Sequence, residues 1–329
     1  MKLASIQTIA DIRPIEGADR IEAATVLGYQ TVIKKGEFRL GDLCVWHEPD
    51  TVAAEKLEYE FLRKQGFRLK VSRFKGQVSQ GLALSLAVLP KANYAVGDDV
   101  TELTGIRKYE KPLSPNLVGV AKGAFPSWMP KTDEPNLRSF PAALAEFMGR
   151  ECVITQKVDG TSGTFYLRGG EFGVCTRNLE LLDDPSSMFW RVAREHQLPE
   201  RLKTLGGDFA LQGEVHGEGI QGNHVGVKGV TFAAFNLFDI AKHAYADHRT
   251  LAEFCRRTGL PMVRIVWQGR FEFSLPDLVA LASAQDYAPG QPAEGIVIRP
   301  VEEARSQILE SGRLSAKVIS ERYALKHGE

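Results

Sequence analysis

Cysteine is scarce in this chain. Four residues among 329, Cys44, Cys152, Cys175 and Cys255, are widely scattered, and none stands in C-x-x-C spacing. That excludes a disulfide framework or a zinc site and fits a reducing compartment, so a cytoplasmic location is expected. Long apolar runs are also missing, and nothing approaches the roughly 20 residues of a transmembrane helix. The opening "MKLASIQTIADIRP" has no apolar signal-peptide core, because Asp11 and Arg13 arrive too soon. No membrane partner is expected. Neither sign of charge is in surplus, with 41 Lys and Arg against 41 Asp and Glu. This argues against indiscriminate nucleic-acid binding while leaving room for a local basic patch. Repeats and low-complexity tracts are lacking too. What is present is ordinary: 43% hydrophobic and 25% charged residues, in a chain long enough for about two globular domains.

Residues 1–105 read as short strands with turn signals: "KLASIQTIADIRP", "IEAATVLGYQTVIKK", "DLCVWHEPD", "FRLKVSRF" and "QGLALSLAVL". About five strands in a hundred residues suggest a small barrel. An OB fold is the leading expectation and an SH3-like barrel the second, with a helix over "AAEKLEYEFLRKQ". Within "RKQGFRLKVSRFK" the six basic residues Arg63, Lys64, Arg68, Lys70, Arg73 and Lys75 meet no acid. Arg68, Lys70 and Ser72 alternate with Phe67, Leu69 and Val71, which gives a strand one basic and one apolar face. Such a face is either a solvated edge strand or a phosphate-contacting surface. Residues 106–148 are rich in proline, with Pro112, Pro115, Pro126, Pro130, Pro135 and Pro141, and read as an extended linker ending in a short helix. Phe125, Trp128, Lys131 and Arg138 give it more aromatic and basic character than a spacer needs. From 149 to 329, strands arrive in runs among helices. The expected class is α+β: an N-terminal OB-like barrel, then a domain built on antiparallel sheets.

One stretch carries chemistry. In "CVITQKVDGTSGTFYL", residues 152–167, two strand-like runs flank Asp159-Gly160, a dipeptide favoured in hairpin turns. Lys157 stands just before it. By residue usage K-x-D-G arises by chance in about one chain in ten of this length. Alone, the lysine reads better as a solvated turn residue than as a catalytic one. Downstream, in order, come Arg177 in "VCTRN", Glu214 in "ALQGEVHG", Phe235 and Phe238 in "FNLFDI", Glu294 and Arg299 in "AEGIVIRP", and Lys317 in "LSAKVISERYALK". Each has a bland reading as a paired strand charge, a core phenylalanine or a surface lysine. His216 and His224 flank the glycine-rich "GEGIQGN" loop, but their spacing with His243 and His248 fits no standard metal motif.

The ordered set resembles the covalent nucleotidyltransferase superfamily, and among its members the nick-sealing RNA ligases of family five, with an N-terminal OB domain. The resemblance covers nearly the whole chain. It implies an adenylyltransferase domain over 149–329 and an ATP-dependent RNA ligase, expected in RNA repair, that joins 3′-hydroxyl and 5′-phosphate ends through lysyl-AMP. It implies catalytic roles for Lys157, Glu214, Glu294 and Lys317. Nucleotide contacts are expected from Lys157, Asp159, Gly160, Arg177, Glu214, Phe238 (stacked on adenine), Glu294 and Lys317. Mg2+ or Mn2+ is expected on Glu294 and Asp159, and RNA on Arg68, Lys70, Arg73, Lys131, Arg138 and Arg177. The partner expected is a pair of RNA ends in a nicked duplex, held by a monomer.

Three positions depart from the family's pattern. Related ligases often carry K-x-K in the last motif, where Ser315 and Ile319 flank Lys317, so a second cation is missing or comes from elsewhere, with Lys326 as one source. Arg299 stands where lysine is usual, and Arg138 is the candidate for an arginine that relatives place near Asn136. DNA ligases and capping guanylyltransferases share the nucleophile chemistry but usually place their OB domain last, and the short stretch after Lys317 leaves no room for one. A non-catalytic nucleic-acid-binding protein would be expected to lack at least one of Lys157, Glu214, Glu294 and Lys317; all four are present.

Overall fold

The computed structural model describes residues 2–109 and 120–327. Pro112 and Pro115 of the expected linker lie outside the described residues. The chain divides into two compact units. One comprises Met1–Lys111, Asn136–Leu144 and Glu321–Glu329; the other comprises Pro112–Pro135 and Ala145–Ser320.

In the first unit the strands are short and antiparallel. Leu43–His47 pairs with Ala4–Thr8 on one side and Leu82–Leu84 on the other. Asp11–Pro14, Ile21–Val26 and Tyr29–Lys34 form a meander. Alternation places Val45 in a core with Ile6, Tyr59 and Leu69, while Cys44 and Trp46 face a second cluster with Tyr29 and Ile33. The helix expected over residues 53–65 is present as a 3-10 helix, Leu57–Gln65, closed by Gly66 in the left-handed conformation.

A buried histidine makes this unit acid-sensitive. His47 has no exposed surface, and Nε2 lies 2.8 Å from the Tyr59 hydroxyl. Burial lowers its pKa from 6.5 to about 4, partly offset by bonds to the Leu82 and Val45 carbonyls. Protons therefore enter the unfolded chain before the folded one, and stability present above pH 6.5 is lost as pH falls toward 4. Between pH 7 and 5 this single group should remove about 2 kcal/mol. Denaturant titrations at the two pH values should show that difference shrink by about this amount in His47→Gln. Equal losses in wild type and variant would count against it.

Among the described residues of the second unit there are two large antiparallel sheets and a small two-stranded one. The larger has seven strands in the order Ala121–Ala124, Leu179–Leu181, Glu171–Cys175, Thr161–Arg168, Phe209–Gly217, Val230–Asp239 and Ala244–Tyr245. One face carries Phe165, Leu211, Val215, Phe232 and Leu237. The helices Met188–Glu195, Leu198–Lys203 and His248–Thr258 cover it with Phe189, Leu202, Leu251 and Phe254. The intervening residues Ser162, Thr164, Gln212, Glu214 and Asn236 therefore lie on the opposite face. The smaller sheet orders Ile265–Arg270, Glu151–Lys157, Gly295–Pro300 and Ala316–Ile319.

This arrangement corrects the hairpin reading of residues 152–167. The strands Glu151–Lys157 and Thr161–Arg168 do not pair with each other; they belong to different sheets, and residues 158–160 carry the chain across. The proline-rich stretch also differs from a spacer over residues 121–135. It adds an edge strand to the seven-stranded sheet, then buries Met129, and the Pro130 carbonyl accepts from Gln212 Nε2 at 2.8 Å.

Candidate active site

The register of the smaller sheet gathers the site. Lys157 stands opposite Gly295, Thr155 opposite Val297, and Val153 opposite Arg299. Val297 in turn stands opposite Lys317. Cross-strand partners share a face, and so do residues two apart, so Lys157, Arg299 and Lys317 all lie on one face. Glu294, just before the Gly295–Pro300 strand, accepts from Lys157 Nζ at 2.6 Å.

Gly160 brings in the other sheet. A Cβ there would sit 2.4 Å from the Val215 carbonyl oxygen and 2.9 Å from Glu214 Cγ. The glycine of K-x-D-G is thus required for close approach to the Glu214 strand, not for a left-handed turn. Asp159, buried, is gripped through Oδ2 by His224 Nδ1 at 2.7 Å. His224 comes from the glycine-rich loop, and sequence reasoning had set it aside. Tyr287 was missed altogether. Its hydroxyl donates to the Lys157 carbonyl at 2.7 Å and accepts the amides of Asp159 at 2.7 Å and Glu294 at 3.1 Å.

Charges inside this cluster are strongly coupled. For Lys157, burial is the largest influence and favours the free amine. Glu294 and Glu214 together outweigh it, however, and hold the ammonium above the ordinary lysine range. Glu214 is pushed up to about 8 by burial, against the pull of Lys157, with Glu294 and Asp159 adding repulsion. The resting nucleophile candidate is thus a protonated, ion-paired lysine. Glu294, Asp159 and the raised Glu214 carboxyl crowd around it. Among the described residues no group of three His, Cys, Asp or Glu side chains is arranged to hold a metal ion by itself. Mg2+ or Mn2+ is often held by only one or two carboxylates, with phosphate oxygens and water completing the shell, and this cluster can offer that many.

A strap formed by residues 125–135 lies along the Glu214 face. Thr132 is hydrogen-bonded to Ser162, Lys131 Nζ donates to Asn178 at 2.9 Å, and Arg177 pairs with Asp133 at 2.6 Å while staying half-exposed. The Pro135 carbonyl accepts from the Lys317 amide at 2.8 Å. Glu134 is held by Arg299 at 2.8 Å. Burial works against its charge, but Arg299 and Arg313 outweigh it and keep the carboxyl below the ordinary range. Arg299 also donates to Ser315 Oγ at 2.9 Å and to the Phe235 carbonyl at 2.8 Å. Two of the three departures from the family pattern are therefore in contact. The fork of Arg299 reaches Ser315, one of the two residues that flank Lys317 at the spacing of the family's second lysine. Lys326 belongs to the first unit.

Three expected ligand contacts are not placed as the sequence suggested. Phe238 is only 2% exposed and lies edge-on to Tyr245 and His243 in a side cluster with Met129 and Tyr166, so its ring has no free face for a base. Phe235 is the better-placed aromatic. A bulge leaves it unpaired between Ala234 and Asn236, half-buried, with the Arg299 guanidinium 5.7 Å from its ring. Arg138 is 3% exposed, donates to the Gly28 carbonyl and Glu321 at 2.8 and 2.9 Å, and lies over Tyr29. All of these partners belong to the first unit, so its guanidinium is occupied by structure rather than open to RNA. Arg68 is likewise taken up, by Asp50 at 2.8 Å and the Tyr109 ring. Lys70 and Arg73 are exposed.

Comparison with known proteins identifies the family. A family model for RNA ligase matches residues 150–319, and one for an OB-fold domain matches residues 3–86. Among curated proteins no match is found. Among solved structures, the Naegleria gruberi RNA ligase with PPi is 36% identical, with a TM-score of 0.90 over 99% of each chain. A mutant of that ligase with ATP and Mn is 35% identical, with the same score over 98% of each chain, and a mutant without ligand matches equally well over 99% of this chain and 98% of that one. With its strand register, its ordered motifs and a family match spanning both sheets, the chain belongs to the RNA ligase family.

Proposed function

We propose that this chain seals RNA strands at the expense of ATP, with Lys157 as the residue that carries AMP. The observation behind this reading is the convergence of Lys157 with Glu294, Glu214 and Lys317 where the two sheets meet. The Lys157 amine forms a bond to the α-phosphorus of ATP as the bond to pyrophosphate breaks. An RNA 5′-phosphate oxygen then takes AMP from the lysine, and a 3′-hydroxyl oxygen attacks the 5′-phosphorus, releasing AMP. Lys317, on the face of Lys157, neutralises charge at the α-phosphate. The ammonium proton of Lys157 leaves by way of Glu294, its hydrogen-bond partner, to solvent. Glu214 also holds the ribose hydroxyl, Phe235 stacks on adenine, and Arg177 grips phosphate as a two-pronged donor. Mg2+ or Mn2+ held on Glu294 and Asp159 would supply further charge neutralisation at the phosphates.

RNA is met in part by the hairpin Ser72–Phe74 and Gln77–Ser79 of the first unit, where Phe74 is 45% exposed among Lys70, Arg73 and Lys75. An exposed ring among cations suits a nucleic-acid backbone and its bases. The substrate is a nicked duplex and the enzyme acts as a monomer. A cytoplasmic setting accords with four buried free cysteines, and no helix among the described residues is long and apolar enough to cross a membrane.

A panel of singly nicked duplexes, each strand RNA or DNA, tests the substrate. Sealing is expected with an RNA 3′-hydroxyl strand, and Lys70→Glu with Arg73→Glu should raise the half-saturating RNA concentration about tenfold or more. Preference for a DNA 3′-hydroxyl strand would favour the DNA-ligase reading. Unchanged RNA binding would remove the hairpin from the interface.

A further inference from the structure

We propose that Tyr287 is a positioning residue for transfer of AMP to Lys157, its hydroxyl stapling the turn that follows the nucleophile to the backbone at Glu294. The inference rests on the reading of Lys157 as nucleophile.

The Lys157–Gly295 pair is the last rung between their two strands. Beyond it the chain leaves one sheet for the other, and its backbone groups have no ladder to join. Tyr287 supplies the missing partners. A phenol has one proton to donate and two lone pairs to offer. The proton goes to the Lys157 carbonyl, and the lone pairs receive the amides of Asp159 and Glu294. One side-chain oxygen thus fixes the backbone of three residues placed in the reaction.

The ring is itself held in place. Tyr287 sits in the strand Asp286–Ala288, joined by Pro289-Gly290 to Gln291–Pro292, with Gly290 at φ +76°. Gln156 Nε2 donates to the Asp286 carbonyl at 3.1 Å, and the Ala293 amide donates to Gln285 at 2.9 Å. Glu294 has a second anchor, because its carbonyl accepts from the Ser320 amide at 2.9 Å, and Gly295 is laddered on both sides. The 158–160 crossing has no ladder. Losing the hydroxyl should therefore loosen Lys157 and Asp159 more than Glu294. An attacking amine must sit about 3–3.5 Å from phosphorus and in line, and a displacement of about 1 Å costs about a hundredfold in rate.

The test is Tyr287→Phe, with enzyme adenylylation by α-labelled ATP and sealing of pre-adenylylated nicked RNA measured separately. The second reaction needs no attack by Lys157. Adenylylation should slow on the order of 10- to 100-fold, with half-saturating ATP and the sealing rate each within about threefold of wild type. Gln156→Ala, which frees the tyrosine's hairpin without touching the hydroxyl, should show the same split in weaker form and serves if Tyr287→Phe does not fold. Wild-type adenylylation in Tyr287→Phe, or equal loss of both reactions, overturns the assignment. Lys157→Ala is run alongside: label retained there would sink the nucleophile reading itself, whatever Tyr287→Phe does.

Discussion

Lys157→Ala is expected to take up no label from ATP labelled at the α-phosphate, a loss of at least about 10³-fold against wild type. The variant should still seal RNA supplied with AMP already on its 5′ end, within about tenfold. The argument is geometric. Lys157 ends its strand where the chain crosses between sheets, and its Nζ lies 2.6 Å from Glu294. Gly160 draws the following turn to within a carbonyl contact of the Glu214 strand. Label persisting on Lys157→Ala would move the nucleophile elsewhere, with Lys317, on the same face, as the first place to look. Loss of both reactions would mean that Lys157 holds the site together rather than carrying AMP.

The same cluster explains how a last motif with one obvious lysine can suffice. Glu294 and Glu214 hold the resting ammonium above its ordinary range, so a second basic neighbour does not set the free enzyme's charge state. The amine would become available once Glu294 turned from it to a divalent cation arriving with the nucleotide, the ammonium proton passing to solvent. Arg299 brings a guanidinium to Ser315, beside Lys317, although Glu134 already balances its charge.

Much of the site was legible because Lys157, Glu214, Glu294 and Lys317 stand in the order of a known motif set, although each taken singly had a bland reading. The partners that hold these residues were not legible. Tyr287 lies 130 residues from the carbonyl it bonds, and His224 lies 65 residues from Asp159. Nothing in local spacing joins such pairs. "PGQP" announces the turn beside Tyr287 but not what its hydroxyl reaches. Arg138 was misread for a related reason: a basic residue in a proline-rich segment looks solvent-facing, and its burial depends on Gly28, Tyr29 and Glu321, all distant in sequence. Asp159-Gly160 looked like a hairpin because the dipeptide suits one, whereas the glycine answers to packing between sheets.

Phe235 and Phe238 provide the sharpest separation of stability from binding. They sit three residues apart in "FNLFDI", and regular alternation would have put them on opposite faces. The bulge at Phe235 breaks that alternation. Phe238, packed against Tyr245 and His243 with 2% of its surface exposed, belongs to a core. Phe238→Ala should therefore cost about 3–5 kcal/mol of folding stability. Its folded fraction, assayed below the melting transition, should bind ATP within about threefold of wild type. Phe235 is half-buried and unpaired, beside an arginine that shares the face of Lys157 and Lys317. Phe235→Ala should leave stability within about 1 kcal/mol of wild type, yet raise half-saturating ATP by about tenfold, since base–aromatic stacking contributes about 1–3 kcal/mol. Thermal melts and ATP titrations of the two variants separate these outcomes. The opposite pattern, with Phe238→Ala stable but poor in ATP binding, would return the adenine contact to Phe238 and require its side cluster to open when nucleotide binds.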